Sequence, residues 1–362
     1  MLSVEPRRET SPALTWTTPL LAVVLTIITG FFLFLLIGAR PLAALYAMFV
    51  SPLASVYGLS ELCLKATPLI LCATGLAIGF RAGVWNIGAE GQLILGAIFG
   101  GGVGLFWSPA LGPLALPVMG LFGILGGMAW AAIPAFLKTR LGVNEILTSL
   151  MLTYVAVLLL STLVYGPWKD PQGYGFPQTQ FFIDISPWTE IPLLLPETRL
   201  HWGFALTLLI VAAAWVFVTR SLVGFQVRVI GLAPDAAAFA GFSRTRIVWL
   251  TMLLSGGLAG LAGLLEVAGP IGQIVPTISP GYGFTAIIVA FLGRLHPLGL
   301  VAAGFLMALS FIGGENAQVE ASLPQATTGV FQGLLLFWVL ACDFLARYRI
   351  RLAQPTSRRA TA

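Results

Sequence analysis

Residues able to do chemistry are scarce in this sequence, and the most telling of them interrupt apolar runs. Residues 81–92 read RAGVWNIGAEGQ, placing Arg81, Asn86, Glu90, Gln92 and three glycines between two hydrophobic stretches. Glu90 and Glu266 are the carboxylates set deepest among apolar residues. If those runs cross a bilayer, a charge within them costs at least ~2.5–3.5 kcal/mol, so each must face a protein interior, a water cavity or a helix end. Asn86, Gln92 and Gln273 could offer hydrogen bonds to a polar solute, while Trp85, Tyr282 and Phe284 could stack on a flat ring. These eight residues are the candidates for lining a translocation pathway. A plainer reading stays open for each. Glu90 fits the first turn of the following helix, where free N–H groups and the positive helix end stabilise a carboxylate. Glu266, close to Gly269 and Pro270, fits an interface, and aromatic residues commonly anchor or fill space.

Enzymatic chemistry has little support. The two histidines, His201 and His296, give no spacing for a nucleophile–base set. A phosphate-binding loop ends in Gly-Lys, and none of Lys65, Lys138 and Lys169 follows a glycine. Cys63, Cys72 and Cys342 lie in or beside apolar runs without metal-ligand spacing and read as packing residues. The expectation is a chain that is not an enzyme and holds no metal or cofactor of its own.

The elements that must position these residues follow from composition. Hydrophobic residues make up 58% of the 362 and charged residues 9%, against roughly 45–50% and about 25% in an average soluble protein. The pattern predicts an all-α polytopic membrane protein with about ten transmembrane helices, near residues 20–38, 62–80, 90–107, 113–137, 146–166, 202–219, 247–268, 282–293, 297–313 and 325–346. The eighth is too short to cross alone. The first run is too long for the apolar core of a secretory signal and reads as a retained span.

With the N-terminus inside, the inward segments collect Arg7, Arg8, Arg81, Lys138, Arg140, Arg220, Arg228, Arg244, Arg246, Arg294, Arg347, Arg349, Arg351, Arg358 and Arg359. Only Arg40, Lys65, Lys169 and Arg199 face out. That imbalance satisfies the positive-inside rule and accounts for the net charge of +5 without nucleic acid. The organisation is then a cytoplasmic segment 1–19, a transmembrane domain 20–346 and a basic cytoplasmic tail 347–362.

Two connecting segments are long. Residues 167–200, facing out, hold six prolines and are expected to be ordered by proline rather than by regular structure, as either a docking surface or a spacer. Residues 220–246, facing in, contain a short helix: Pro234 suits its first position, Asp235 complements its positive end, the alanines propagate it and Gly241 ends it. At about seven residues it is ~10 Å long, suited to lie flat and enter a groove in a partner. The glycine runs GAIFGGGVG and GGLAGLAG carry small-xxx-small spacing for close helix packing. Spans two to five and seven to ten can be laid against each other as an inverted repeat, GVWNIGAEGQ matching GPIGQIVPTISPGYGF. Interrupted segments at matching places point to a pathway.

RAGVWNIGAEGQLILGA, GVNEILTSLMLTYVA, GLAPDAAAFAG and GYGFTAIIVAFLGRLHPLG, in this order, resemble the permease subunits of bacterial ABC importers for nucleosides and simple sugars. That broad group also holds the ribose and branched-chain amino acid permeases. The resemblance covers residues 62 to 345, and NIGAEGQ is similar to the nucleoside-type branch.

It implies a second permease, giving a heterodimer, two cytoplasmic subunits that use ATP, and an extracytoplasmic solute-binding protein, all at the bacterial inner membrane. It also implies that segment 224–241 couples to the ATPase, with Arg228, Gly231, Pro234, Asp235, Ala237 and Gly241 as the coupling positions. Thr153 and Thr285 depart from the pattern, at places where relatives carry Asn and an acid. Nucleosides are the expected solute and pentoses the alternative; a proton-coupled secondary transporter using Glu90 or Glu266, or a scaffold without transport, are rivals from other classes.

Overall fold

Within hydrocarbon a backbone has no water to bond to, so apolar runs satisfy their N–H and C=O groups internally as helices. The computed structural model of the chain describes residues 2–6, 12–324 and 326–352. Arg7, Arg8, Arg358 and Arg359 lie outside the described residues. The first half comprises strand β1 (Leu2–Pro6) and helices α1 (Pro12–Leu36), α2 (Pro41–Phe49), α3 (Val56–Arg81), α4 (Ala89–Phe106), α5 (Ser108–Leu111), α6 (Ala115–Leu141) and α7 (Glu145–Tyr165). The second comprises α8 (Phe182–Ile185), α9 (Gly203–Arg220), α10 (Leu222–Leu232), α11 (Pro234–Phe239), α12 (Arg244–Glu266), α13 (Tyr282–Leu292), α14 (Pro297–Glu320), α15 (Ala326–Arg347) and strand β2 (Tyr348–Leu352).

Among the described residues nine helices are long and apolar enough to cross a membrane. The expected eighth span is α13, whose 11 residues reach about 16 Å, roughly half the ~30 Å core. The periodicity did not announce α2 or α10, both apolar and short, nor the pairing of β1 with β2.

The chain divides into two compact units, residues 1–47 with 314–362, and residues 48–313. In the first, α1 lies along α15: Gly30 leaves room for the Phe331 ring, and the Trp338 indole donates to Thr29 Oγ1 at 3.2 Å. The strands β1 and β2 pair antiparallel, Leu2 opposite Leu352.

The second unit is built on α3, α4, α6 and α12, and glycine explains how closely they approach. A Cβ at Gly96 would fall 2.2 Å from Gly260 Cα, one at Gly127 would fall 2.1 Å from Gly256 O, and one at Gly263 would fall 2.0 Å from Leu93 O. Both glycine runs therefore bring backbone against backbone, which substitutes for a hydrophobic driving force inside lipid.

Segment 167–200 differs from the expected proline-ordered loop. Besides α8 it has a 3-10 turn at Pro187–Thr189 and a bridge between Leu193 and His201. It is fastened to the stretch after α12, with Thr179 N donating to Ile274 O at 3.0 Å and Phe182 N to Gly272 O at 2.9 Å. Phe182 is fully buried beside Gly101 and Gly104. Tertiary contact orders this segment.

Candidate functional site

The interrupted segment 81–92 is more than a turn between spans. Only Ala82 and Gly83 reverse the chain, and Gly83 has a φ of 70°, which glycine adopts without a Cβ penalty. Val84 N donates to Gly79 O at 3.0 Å, closing the end of α3, and residues 84–88 then run without regular structure to α4. Asn86 is 2% exposed and reaches the level of Ser255, inside the helix bundle. Irregular backbone inside a bundle needs partners, and this sequence supplies them.

Asn86 and Gln92 exchange two hydrogen bonds, Asn86 Nδ2 to Gln92 Oε1 at 2.8 Å and Gln92 Nε2 to Asn86 Oδ1 at 3.1 Å. Asn86 also donates to Ser255 Oγ at 3.0 Å and accepts from Gly88 N at 3.0 Å. From α7, Ser149 Oγ accepts from Ile87 N at 3.2 Å, and Glu145, paired with Lys138, accepts from Trp85 N at 3.4 Å. Buried amides so completely partnered fix one conformation.

Glu90 lies in the first turn of α4, as one of the two readings has it, and its carboxylate serves a different helix. Glu90 Oε2 accepts from Gly283 N at 2.6 Å, across 193 residues of sequence. A Cβ at Gly283 would fall 2.2 Å from Glu90 N, so the N-termini of α4 and α13 abut. Ser279 Oγ accepts from Tyr282 N at 2.8 Å and Gly281 N at 3.1 Å, completing the start of α13. Two helix N-termini thus converge on one buried carboxyl group, which supplies an acceptor for a free N–H at the start of α13. The two interruptions that looked alike in sequence meet here.

The aromatic candidates separate. Tyr282 is fully buried, edge-on to Phe311 with centroids 5.5 Å apart and with Lys65 5.9 Å above its ring; it packs the core and presents no open face. Trp85 is 38% exposed, tilted 35° to Phe80 at 5.0 Å and stacked on Phe291 at 5.8 Å. Phe284 is 38% exposed.

Glu266 and Gln273 belong to another region, under segment 167–200. Gln273 Nε2 lies 3.5 Å from Gln178 Oε1. Glu266 is 8% exposed, within electrostatic reach of Lys65, Glu61 and Arg199. Arg199 is bidentate on Glu61, with Nε donating to Oε1 at 3.0 Å, and this pairing raises the Arg199 pKa further. His201 accepts from Gly203 N at Nδ1 and is buried between Gly203 and Gly269, and burial lowers its pKa to about 4.

The short helix expected within 220–246 is α11, with Pro234 at its first position, Asp235 in its first turn, and Gly241 after it at a φ of 78°. It is preceded by α10, which the sequence reading passed over. Val227, Ile230 and Ala237 turn into a cluster that includes Ile78, Ala82 and Val84. Gly231 sits against the Arg81 carbonyl, where a Cβ would be 1.9 Å away. Arg228 and Asp235 are exposed, as are Leu232 at 86% and Phe239 at 97%.

The residues missed from sequence are Ser255, Ser149, Glu145, Ser279 and Phe291. Single hydroxyls in an apolar helix carry no signal of which backbone they will meet. Thr153 and Thr285 are both buried; Thr153 Oγ1 donates to Ser149 O at 3.2 Å, and a Cβ at Gly91 would fall 2.8 Å from Thr153 Cα.

Known proteins resemble this chain over nearly its full length. The glucose ABC transporter permease protein TsgB13 of Haloferax volcanii is 37% identical over 360 residues, covering 97% of this chain and 94% of that protein. The guanosine ABC transporter permease protein NupP of Bacillus subtilis is 30% identical, over 91% of this chain and 94% of that protein. The nucleoside ABC transporter permease protein NupB of Lactococcus lactis is 26% identical, over 88% and 89%. Residues 58–340, which contain both interruptions and the α10–α11 segment, match the family described as branched-chain amino acid transport system, permease component, and the chain belongs to that family.

Proposed function

We propose that this permease forms one half of an ATP-binding cassette importer for nucleosides in a bacterial inner membrane, with both termini cytoplasmic. Its partners are a second, unlike permease, two cytoplasmic subunits that hydrolyse ATP, and an extracytoplasmic solute-binding protein. The observation that carries this reading is the seat of α11. Ala237 is 1% exposed and packs in one cluster with Ala82 and Val84 of the interrupted segment, while Leu232 and Phe239 beside it stand open. A short helix fixed at one residue to a pathway element and bare elsewhere suits a lever pushed by another subunit. The clustering of arginines at the Arg81 end supports its facing the cytoplasm.

Trp85 and Phe284 supply the partly open aromatic faces, and a nucleobase is the solute group that stacks on them. Glu90 shapes the pathway by holding α4 and α13 together, and Asn86 and Gln92 by fastening the interrupted segment to α4 and α12. Glu266 and Gln273 act at the opposite end, below the segment on which the binding protein docks; there Tyr174 and Phe176 are 98% and 66% exposed. A sugar is the second reading, favoured by the glucose permease among the relatives.

The test is uptake by vesicles holding the complete importer. ATP-dependent accumulation of labelled guanosine, suppressed by unlabelled nucleosides and not by glucose or ribose, is expected. Accumulation of glucose alone would overturn the nucleoside assignment. Uptake driven by a proton gradient in vesicles holding only this chain would overturn the importer reading itself.

A further inference from the structure

The connection between α13 and α14 is made in an unusual way. Arg294 and Leu295 are consecutive non-glycine residues with φ of 52° and 56°, a region where Cβ crowds the backbone and which a residue such as leucine seldom adopts. Local bonds close the turn, with Arg294 N donating to Phe291 O at 3.0 Å, Leu295 N to Ala290 O at 2.9 Å and His296 N to Gly293 O at 3.0 Å. Such a conformation persists only when the surroundings over-determine it, and outliers of this kind gather at switch regions. The buried His296 Nδ1 has no hydrogen-bond partner among the described residues, a second sign that this turn is not at its local optimum.

One residue from outside the turn takes hold of it. Arg81, the last residue of α3, donates Nε at 3.0 Å and Nη2 at 2.6 Å to the single carbonyl oxygen of Leu295. The same Arg81 is touched from behind by α10, since Gly231 lies so near the Arg81 carbonyl that a Cβ there would be 1.9 Å from it. Its neighbour Phe80 stacks on Phe291 of α13, with centroids 5.4 Å apart and planes 18° from parallel. Arg81 therefore has its backbone against α10 and its guanidinium on the strained turn that ends α13. Both charged donors converge on one acceptor, so a small displacement of Arg81 loses two hydrogen bonds together.

We infer that Arg81 is the positioning residue that carries movement of α10 and α11 into α13. When α10 shifts, Arg81 leaves the Leu295 carbonyl and the left-handed pair relaxes. The C-terminal end of α13 then swings about its other end, which Glu90 holds. Arg81 touches no solute in this scheme. The inference rests on the coupling role proposed above for α10 and α11.

The experiment uses the complete importer in vesicles and measures solute taken up per ATP hydrolysed, with guanosine and glucose as probes. Arg81→Gln removes the paired donors, and the ratio should fall about five- to tenfold while the amount of assembled complex and its ATP hydrolysis hold. Arg81→Lys, with a point charge in place of the fork, should fall between the two.

A second variant guards against misfolding. Leu295→Gly relieves the left-handed strain where leucine fits it worst and leaves the Arg294 side chain in place, so the protein should melt at a higher temperature and yet take up less solute per ATP. A purely structural role predicts the reverse for uptake, a stabler and fully coupled importer, and that result would overturn the inference. So would a wild-type ratio in Arg81→Gln. Should the wild-type importer show no ATP-driven uptake of either probe, the coupling reading falls and this inference with it; intact uptake with an unmoved ratio removes Arg81 alone.

Discussion

Gly283→Ala probes the meeting of α4 and α13 directly, because the structure reverses the usual sign of the change. In an ordinary helix interior, alanine is favoured over glycine by roughly 0.5–1 kcal/mol. Here the added Cβ would stand 2.2 Å from Glu90 N and 2.5 Å from Glu90 Cα, where real Cβ contacts stay beyond 3.0 Å. Both atoms are backbone, so no rotamer change relieves the clash, and one helix must move as a body. Overpacking costs typically ~1–3 kcal/mol, and pulling Gly283 N off the Glu90 carboxyl group leaves a buried donor unpaired, ~1–3 kcal/mol. After the helix-propensity gain the net loss is ~1–5 kcal/mol.

Gly333→Ala in α15 is the control, since nothing lies within 4 Å of its Cβ position; it should gain up to ~1 kcal/mol. Thermal denaturation in detergent, followed by the fraction of protein that stays monodisperse, reads both. A lower midpoint for the first variant and an equal or higher one for the second is expected. Equal midpoints, or a stabilised Gly283→Ala, would refute the reasoning that the two helix ends abut.

At the same junction, Glu90→Gln changes the carboxyl group but keeps an acceptor for Gly283 N, and should cost at most ~1 kcal/mol. Glu90→Ala loses the bond too and should cost ~1–3 kcal/mol; equal melting of the two variants would show that the hydrogen bond contributes nothing. His201, neutral and buried with its pKa lowered to about 4, binds its proton more weakly in the folded chain than in the unfolded one. Stability is therefore complete above about pH 6.5 and falls by up to ~3 kcal/mol as the pH drops to about 4. His201→Asn, which retains an acceptor for Gly203 N, should flatten that part of the profile, and an unchanged slope assigns it to other groups. Asp235→Trp, at an exposed position of α11, should leave the assembled importer intact and lower uptake per ATP hydrolysed; unchanged uptake would remove α11 from the coupling surface.

Much of the fold was legible in the sequence because the bilayer leaves so few solutions. An apolar run near twenty residues long becomes a helix, and glycine at small-xxx-small spacing marks where helices touch. The Gly256 to Gly263 run was expected to bring helices together, and backbone contacts at Gly256, Gly260 and Gly263 do so. Helix α11 was legible to within a residue because proline, aspartate, alanines and glycine each act locally. Helix α10 was not, since its apolar stripe reads like the tail of the preceding span, and only its packing against Ala82 and Arg81 distinguishes it.

The sequence by itself determined that residues 81–92 and 266–284 break their helices and that Asn86, Glu90 and Gln92 need partners. Those are consequences of residue type: glycine and proline end helices, and a buried amide or carboxylate without a partner is too costly to keep. Only the tertiary structure decided who the partners are. Asn86 finds Ser255, 169 residues away, Glu90 finds Gly283, 193 residues away, and Arg81 finds Leu295, 214 residues away. A hydrogen-bond donor in a sequence states a demand without an address. The address is set when glycine-lined helices close to backbone contact and bring two distant interruptions face to face.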